Sequence, residues 1–170
     1  DFRRGKPTNH KVFGDAMATL AGDALLNYAF EIMLKESIGK SNPDRRLKAI
    51  YEIARGAGIY GMIGGQVVDI ESEDKSIEKE KLDFIHMNKT AAMIIGCMRA
   101  GAIMGNACED DLQNITKYAK NIGLAFQIVD DILDIVGDEK ILGKPVGSDL
   151  ENHKSTYPTL IGLEKSRKVA

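Results

Sequence analysis

The stretch Gly123-Leu124-Ala125-Phe126-Gln127-Ile128-Val129-Asp130-Asp131-Ile132-Leu133-Asp134-Ile135-Val136-Gly137 decides how this chain is read. It is almost wholly apolar, yet it holds three aspartates. Its length and regularity predict a helix. Asp130 and Asp134, four residues apart, then share one face with Gln127, and Asp131 lies alongside. The remaining circumference is Ile, Val, Leu and Phe, so the helix is expected to be buried on several sides. Buried carboxylates repel one another and lose hydration, at a cost on the order of several kcal/mol per ion unless something compensates. No Lys or Arg lies within a turn of them in this stretch. A divalent cation would compensate, and an all-oxygen ligand set favours Mg²⁺ or Mn²⁺, with phosphate oxygens completing the shell of Mg²⁺. The alternative is an exposed acidic stripe, which would need polar neighbours that this helix lacks.

The same pattern of helical spacing extends outward. Phe13, Met17, Leu20, Ala24, Leu25, Tyr28 and Ile32 predict a helix over 12–35, interrupted at Gly22 and Asp23, with close packing as the reason for a glycine there. Thr8 or Asn9 is a candidate cap for it. Asn42 and Pro43 signal the start of a second helix. That helix becomes glycine-rich at Gly56, Gly58, Gly61, Gly64 and Gly65, where backbones can approach closely, and Gln66 and Asp69 follow on one face. Residues 71–81 read as a charged connector. A third helix carries Leu82, Ile85, Met93, Ile94 and Met98, with His86, Lys89 and Thr90 as its polar features. Asp110 and Asp111 open the helix that contains the aspartates, and Gly137 ends it. Residues 140–156 read as a loop, and Pro158 opens a further helix. No useful period-2 strand is present, so the expected class is all-α: one domain over 1–170, a bundle of long helices.

Composition narrows the function. With 44% hydrophobic residues, 28% charged residues and a net charge of −2, the chain suits a soluble protein with a sizeable core and gives no reason to expect nucleic acid. No run of eighteen apolar residues suggests a membrane span, so an intracellular, cytoplasmic protein is expected. Cys97 and Cys108 support neither a disulfide scaffold nor a thiolate metal site, and Cys97 reads as a reduced core residue. His10, His86 and His153 are too dispersed for zinc. No nucleophile elbow, Walker loop or dinucleotide fingerprint occurs. Several cations stand out instead. Arg3, Arg4 and Lys6 around Gly5 suit a phosphate, although a solvated basic turn is the plainer reading. Lys89-Thr90 either faces the aspartates or snorkels to solvent. Lys144, held between Gly143 and Pro145, either closes over a bound phosphate or is a surface lysine.

Taken together, Arg3-Arg4-Gly5-Lys6-Pro7-Thr8, Ala21-Gly22-Asp23-Ala24-Leu25, Gly64-Gly65-Gln66-Val67-Val68-Asp69, His86-Met87-Asn88-Lys89-Thr90, residues 123–137, Leu142-Gly143-Lys144 and Lys154-Ser155-Thr156-Tyr157-Pro158 resemble the trans-isoprenyl diphosphate synthases, in the farnesyl and geranylgeranyl diphosphate synthase branch, with the bacterial short-chain members looking closest. The resemblance implies helices around a central cavity and head-to-tail condensation of isopentenyl diphosphate with an allylic diphosphate, to give farnesyl or geranylgeranyl diphosphate. It implies that Asp130, Asp131 and Asp134 form the second of two aspartate-rich motifs and hold Mg²⁺. It implies that Arg3, Lys89 and Lys144 hold the allylic diphosphate, and that Arg4 holds that of isopentenyl diphosphate. Gln127 and the Thr90 carbonyl would face the allylic carbon, with Gln66 and Asp69 as support around the site. It also implies a homodimer. The first aspartate-rich motif lies upstream of Asp1 in that family, and the chain lacks an initial Met and closes in a helical pattern. A fragment lacking both ends, and inactive by itself, is therefore expected. A helical terpene cyclase, or a non-catalytic dimerising subunit of a prenyl synthase, is the competing expectation.

Overall fold

Ile77, Leu82, Ile85, Ile128, Ile132 and Tyr157 form the buried hydrophobic cluster at which the chain's distant segments meet. A computed structural model describes residues 1–143, 146–147 and 154–170. The chain opens with β1 (Phe2–Arg3) and β2 (Lys6–Pro7), paired antiparallel with Phe2 opposite Pro7. The two turn residues, Arg4 and Gly5, both have positive φ, at 52° and 72°. That is the conformation of a tight two-residue hairpin turn, where glycine carries no steric cost. The basic turn around Gly5 is therefore a minimal hairpin.

Helices follow: α1 (Asn9–Phe13), α2 (Asp15–Lys35), α3 (Pro43–Ala57), α4 (Met62–Glu71) and α5 (Lys79–His86). A π-helical turn, Met87–Ala91, joins α5 to α6 (Ala92–Met104). After these come α7 (Glu109–Val136), α8 (Glu139–Leu142), α9 (Tyr157–Ile161) and α10 (Leu163–Val169). The expected all-α class is the observed one.

Several boundaries differ from the expectation, each for a local reason. The first long helix is broken at Gly14, where φ is 81°, and runs unbroken through Gly22 and Asp23. A Cβ at Gly22 would meet nothing within 4 Å among the described residues. The second and third expected helices are each divided, at residues 58–61 and at the π turn. Cys97 is exposed, not in the core, and both thiols are free. On α7, Phe126, Val129, Ile135 and Val136 are exposed, while Ala119, Gly123, Ile128, Asp131, Ile132 and Asp134 are buried.

The glycines of the other helices do bring backbones together. A Cβ on Gly65 of α4 would stand 2.1 Å from the Lys89 amide nitrogen, and one on Gly123 of α7 would stand 2.4 Å from Ala91 Cβ. On the far side of the bundle, a Cβ on Gly96 of α6 would lie 2.7 Å from the Glu52 carbonyl of α3. Any side chain at these positions would push the helices apart, and close-packed interiors do not absorb such insertions cheaply. The π turn is thereby wedged between α4 and α7, and this seats the candidate site.

Candidate active site

Helix α7 presents Gln127 and Asp130 toward the π turn, and α4 presents Asp69 from the opposite wall. Lys89, on the π turn, donates from Nζ to Asp69 Oδ2 at 2.7 Å. Its neighbour Thr90 donates its hydroxyl to Gln127 Oε1. Two successive residues thus reach two different helices, one to each wall. Single π turns commonly mark functional sites because they re-aim side chains in this way. Lys154, which precedes α9, donates to the same Asp69 oxygen at 2.9 Å and lies 3.3 Å from Glu73 Oε1.

These groups enclose a cavity of about 170 Å³, lined by Asp69, Lys89, Gln127, Asp130, Asp131 and Lys154, with Leu82 and Ile85 among its apolar walls. Larger hollows of about 510, 400 and 410 Å³ lie elsewhere and are lined by none of the expected site residues. Chemistry rather than size distinguishes the small one: it gathers cations, carboxylates and an amide in a half-buried space. Burial works against the charge on Asp69, but hydrogen bonds from Lys89 and Lys154 outweigh it and hold the carboxyl below the usual carboxylate range. Burial likewise opposes the charge on Lys154, and the hydrogen bonds and charges of Asp69 and Glu73 together outweigh it and raise the pKa.

The aspartates of α7 play unequal parts. Asp130 is half-buried and lines the cavity. Asp131 is buried and accepts the Tyr157 backbone N–H at Oδ2, at 2.9 Å. His86 Nε2 lies 3.7 Å from the same oxygen. Burial lowers the His86 pKa to about 4, against the pull of Asp83, Asp69 and Asp130, so the imidazole is neutral at neutral pH and the contact is not an ion pair. Asp134 is buried, and its carbonyl accepts the Gly147 N–H at 2.8 Å. Among the described residues, no group of three or more His, Cys, Asp or Glu is arranged to hold a metal ion. The donors that suit one are Asp130 and Asp134, carboxylates one helical turn apart.

The other expected site residues are dispersed. Arg3 and Arg4 lie on the exposed hairpin and do not line the cavity. The Arg4 N–H donates to the Gly143 carbonyl at 2.8 Å, which ties the hairpin to the segment after α8. Lys144 lies outside the described residues. Gln66 is exposed and does not line the cavity, unlike Asp69 on the same helix. Lys154 and His86 belong to the cavity, although the residue pattern assigned them no role. Lys154 meets Asp69 across 85 residues, a separation that no spacing argument spans.

The polyprenyl synthetase family model matches residues 1–170. A putative geranylgeranyl pyrophosphate synthase 8, chloroplastic, from Arabidopsis thaliana is 51% identical over 173 residues, covering 100% of this chain and 48% of that protein. The farnesyl diphosphate synthase of Bacillus subtilis (strain 168) is 47% identical over 167 residues, covering 98% of this chain and 56% of that protein. Among solved structures, a geranyltransferase from Helicobacter pylori complexed with magnesium and isoprenyl diphosphate superposes with a TM-score of 0.85 at 31% identity, covering 98% of this chain and 54% of that one. The chain spans about half the length of each. Among the described residues no helix is long and apolar enough to cross a membrane. The chloroplastic relative sets a second compartment beside the expected cytoplasm.

Proposed function

The chain belongs to the polyprenyl synthetase family, and from that membership we propose that it forms one wall of an active site for head-to-tail prenyl transfer, condensing isopentenyl diphosphate with dimethylallyl or geranyl diphosphate to give farnesyl or geranylgeranyl diphosphate. The observation that carries this reading is the convergence of Lys89 and Lys154 on one carboxylate in a cavity shared with Asp130 and Gln127. Pockets for drug-sized ligands measure about 300–1,000 Å³. At about 170 Å³ this cavity suits the diphosphate end of a substrate and not its hydrocarbon.

In this reaction the allylic C–O bond ionises, isopentenyl diphosphate attacks the allyl cation through its double bond, and a proton then passes to the departed diphosphate. The barrier lies in the charge that collects on the leaving group, and preorganised cations lower it most. Lys89 and Lys154 face that charge, with Arg3 and Lys144 as further cations, and Arg4 takes the diphosphate of isopentenyl diphosphate. Two hard oxygen donors, Asp130 and Asp134, fit Mg²⁺, which leaves most of its coordination to water and phosphate; Mn²⁺ suits the same donors. When bound, the metal supplies Lewis-acid stabilisation of the leaving diphosphate. The magnesium and isoprenyl diphosphate named in the Helicobacter structure support this reading. Asp131 contributes by orienting its neighbours. Gln127 Oε1 and the Thr90 carbonyl place partial negative charge where the allyl cation develops, and Leu82 and Ile85 help keep water from it. We further place a homodimer contact on the exposed apolar side of α2, and the protein in the cytoplasm.

Full-length protein supplied with labelled isopentenyl diphosphate, geranyl diphosphate and Mg²⁺ should yield labelled farnesyl or geranylgeranyl diphosphate. Residues 1–170 by themselves should yield none. No magnesium-dependent product from the full-length protein would overturn the proposal. A cyclised product formed without uptake of label would favour a terpene cyclase, and a folded dimer without turnover would favour a non-catalytic subunit.

A further inference from the structure

Lys154 reaches the cavity from a segment that needs anchoring, because a five-residue helix such as α9 is too short to hold its own shape. Two devices fix it. Thr156 caps α9 reciprocally with Thr159: its side chain accepts the Thr159 N–H, and the Thr159 hydroxyl accepts the Thr156 N–H at 2.8 Å. The residue after the cap, Tyr157, is 1% exposed and is held at both ends. Its backbone N–H donates to Asp131 on α7, and its hydroxyl donates to the Asp83 carboxylate on α5, 74 residues away in sequence. The His86 ring stacks on the tyrosine ring, with centroids 5.6 Å apart and planes 16° apart. The other Asp83 oxygen takes Lys79 at 2.6 Å, so the acceptor of the tyrosine bond is itself oriented.

A phenylalanine would fill the same buried volume. The hydroxyl adds a directional bond from α9 to α5, and α5 leads directly into the π turn that carries Lys89. We infer that Tyr157, through its hydroxyl bond to Asp83, is a positioning residue that sets Lys154 against the allylic diphosphate. This inference rests on the prenyl-transfer reading above. Tyr157 touches neither the proposed substrate nor a reacting atom; it acts through Lys154, three residues before it. Because Lys154 shares the cavity with Lys89 and Asp130, and Arg4 lies outside it, the tether affects one substrate and spares the other.

The test is steady-state kinetics of the full-length protein with Tyr157→Phe, Asp83→Asn and the double variant. Each single variant should raise KM for the allylic diphosphate about tenfold, the size expected when one hydrogen bond to a charged group is lost. KM for isopentenyl diphosphate should stay unchanged. The double variant should be no worse than either single one, because both remove the same bond. Asp83→Asn probes that bond from its other partner should Tyr157→Phe fail to fold. An unchanged allylic KM, an equal rise in both KM values, or effects that multiply in the double variant would overturn the tether while leaving prenyl transfer standing. A wild-type protein without turnover would overturn the prenyl-transfer reading, and the tether with it.

Discussion

Helices α2 and α7 are both long and both rich in apolar side chains, yet α7 buries six residues and α2 buries none. The difference is one of neighbours. Helix α7 lies against the π turn, α6 and the C-terminal helices, whereas Met17, Leu20, Leu25 and Tyr28 of α2 remain exposed. A glycine sits in each, and their surroundings are opposite: a Cβ on Gly22 meets nothing, and a Cβ on Gly123 collides with Ala91. Apolar periodicity establishes that a helix exists and which side seeks cover. It does not say what covers that side. A glycine within a helix carries the same ambiguity, resolved only by what stands opposite.

The largest effect expected on the α7 side is catalytic. Asp130→Ala in the full-length protein should reduce turnover by about a thousandfold or more, since it removes a carboxylate aimed at the leaving-group site, while the denaturation midpoint changes little. A near-normal rate would show that Asp130 is not a ligand.

Alanine at two glycines should then act with opposite signs. Gly65→Ala, with its Cβ 2.1 Å from the Lys89 amide, should destabilise by about 1–3 kcal/mol through overpacking. Gly22→Ala in α2, where a Cβ meets nothing within 4 Å in the single chain, should stabilise that chain by roughly 0.5–1 kcal/mol through helix propensity. Chemical denaturation of both variants measures this directly, and equal destabilisation by the two would break the contrast between the helices.

A smaller effect separates the charged wall from the apolar one. The Asp69 carboxyl titrates below its ordinary value of 3.8 in the fold, so its contribution to stability is fully present above that value and is lost as the pH falls through the lower folded value. Asp69→Asn should remove this component and flatten the acid limb of an unfolding curve below about pH 4. An unchanged acid limb would mean that its two lysine partners contribute nothing in solution. The smallest effect on the fold belongs to Leu25→Glu in α2, a residue 72% exposed. It should shift the full-length protein toward monomer in light scattering while leaving its helical content unchanged. A dimer that persists would remove the α2 contact.

The contrast also explains how much the residues alone disclose. The all-α class and the long helix bearing the aspartates are legible because they rest on local periodicity and short spacing. Unexpected features depend on contacts between segments far apart in the chain. Lys154 meets Asp69, and Tyr157 meets Asp83, only after the chain has folded back on itself. Asp131 reads as a third metal ligand by its spacing; it lines the cavity, and it also accepts the Tyr157 N–H, a second contact that its spacing does not disclose. Cys97 reads as core because its helix is apolar, yet it is exposed and borders a hollow between α2, α3 and α6.

The most direct test of the central claim is a crystal structure of the full-length protein with Mg²⁺ and a non-reactive allylic diphosphate analogue. The account predicts diphosphate density between Lys89 and Lys154 and metal density at Asp130. Diphosphate bound instead in another hollow, with Asp69 still holding both lysines and no metal at Asp130, would contradict it.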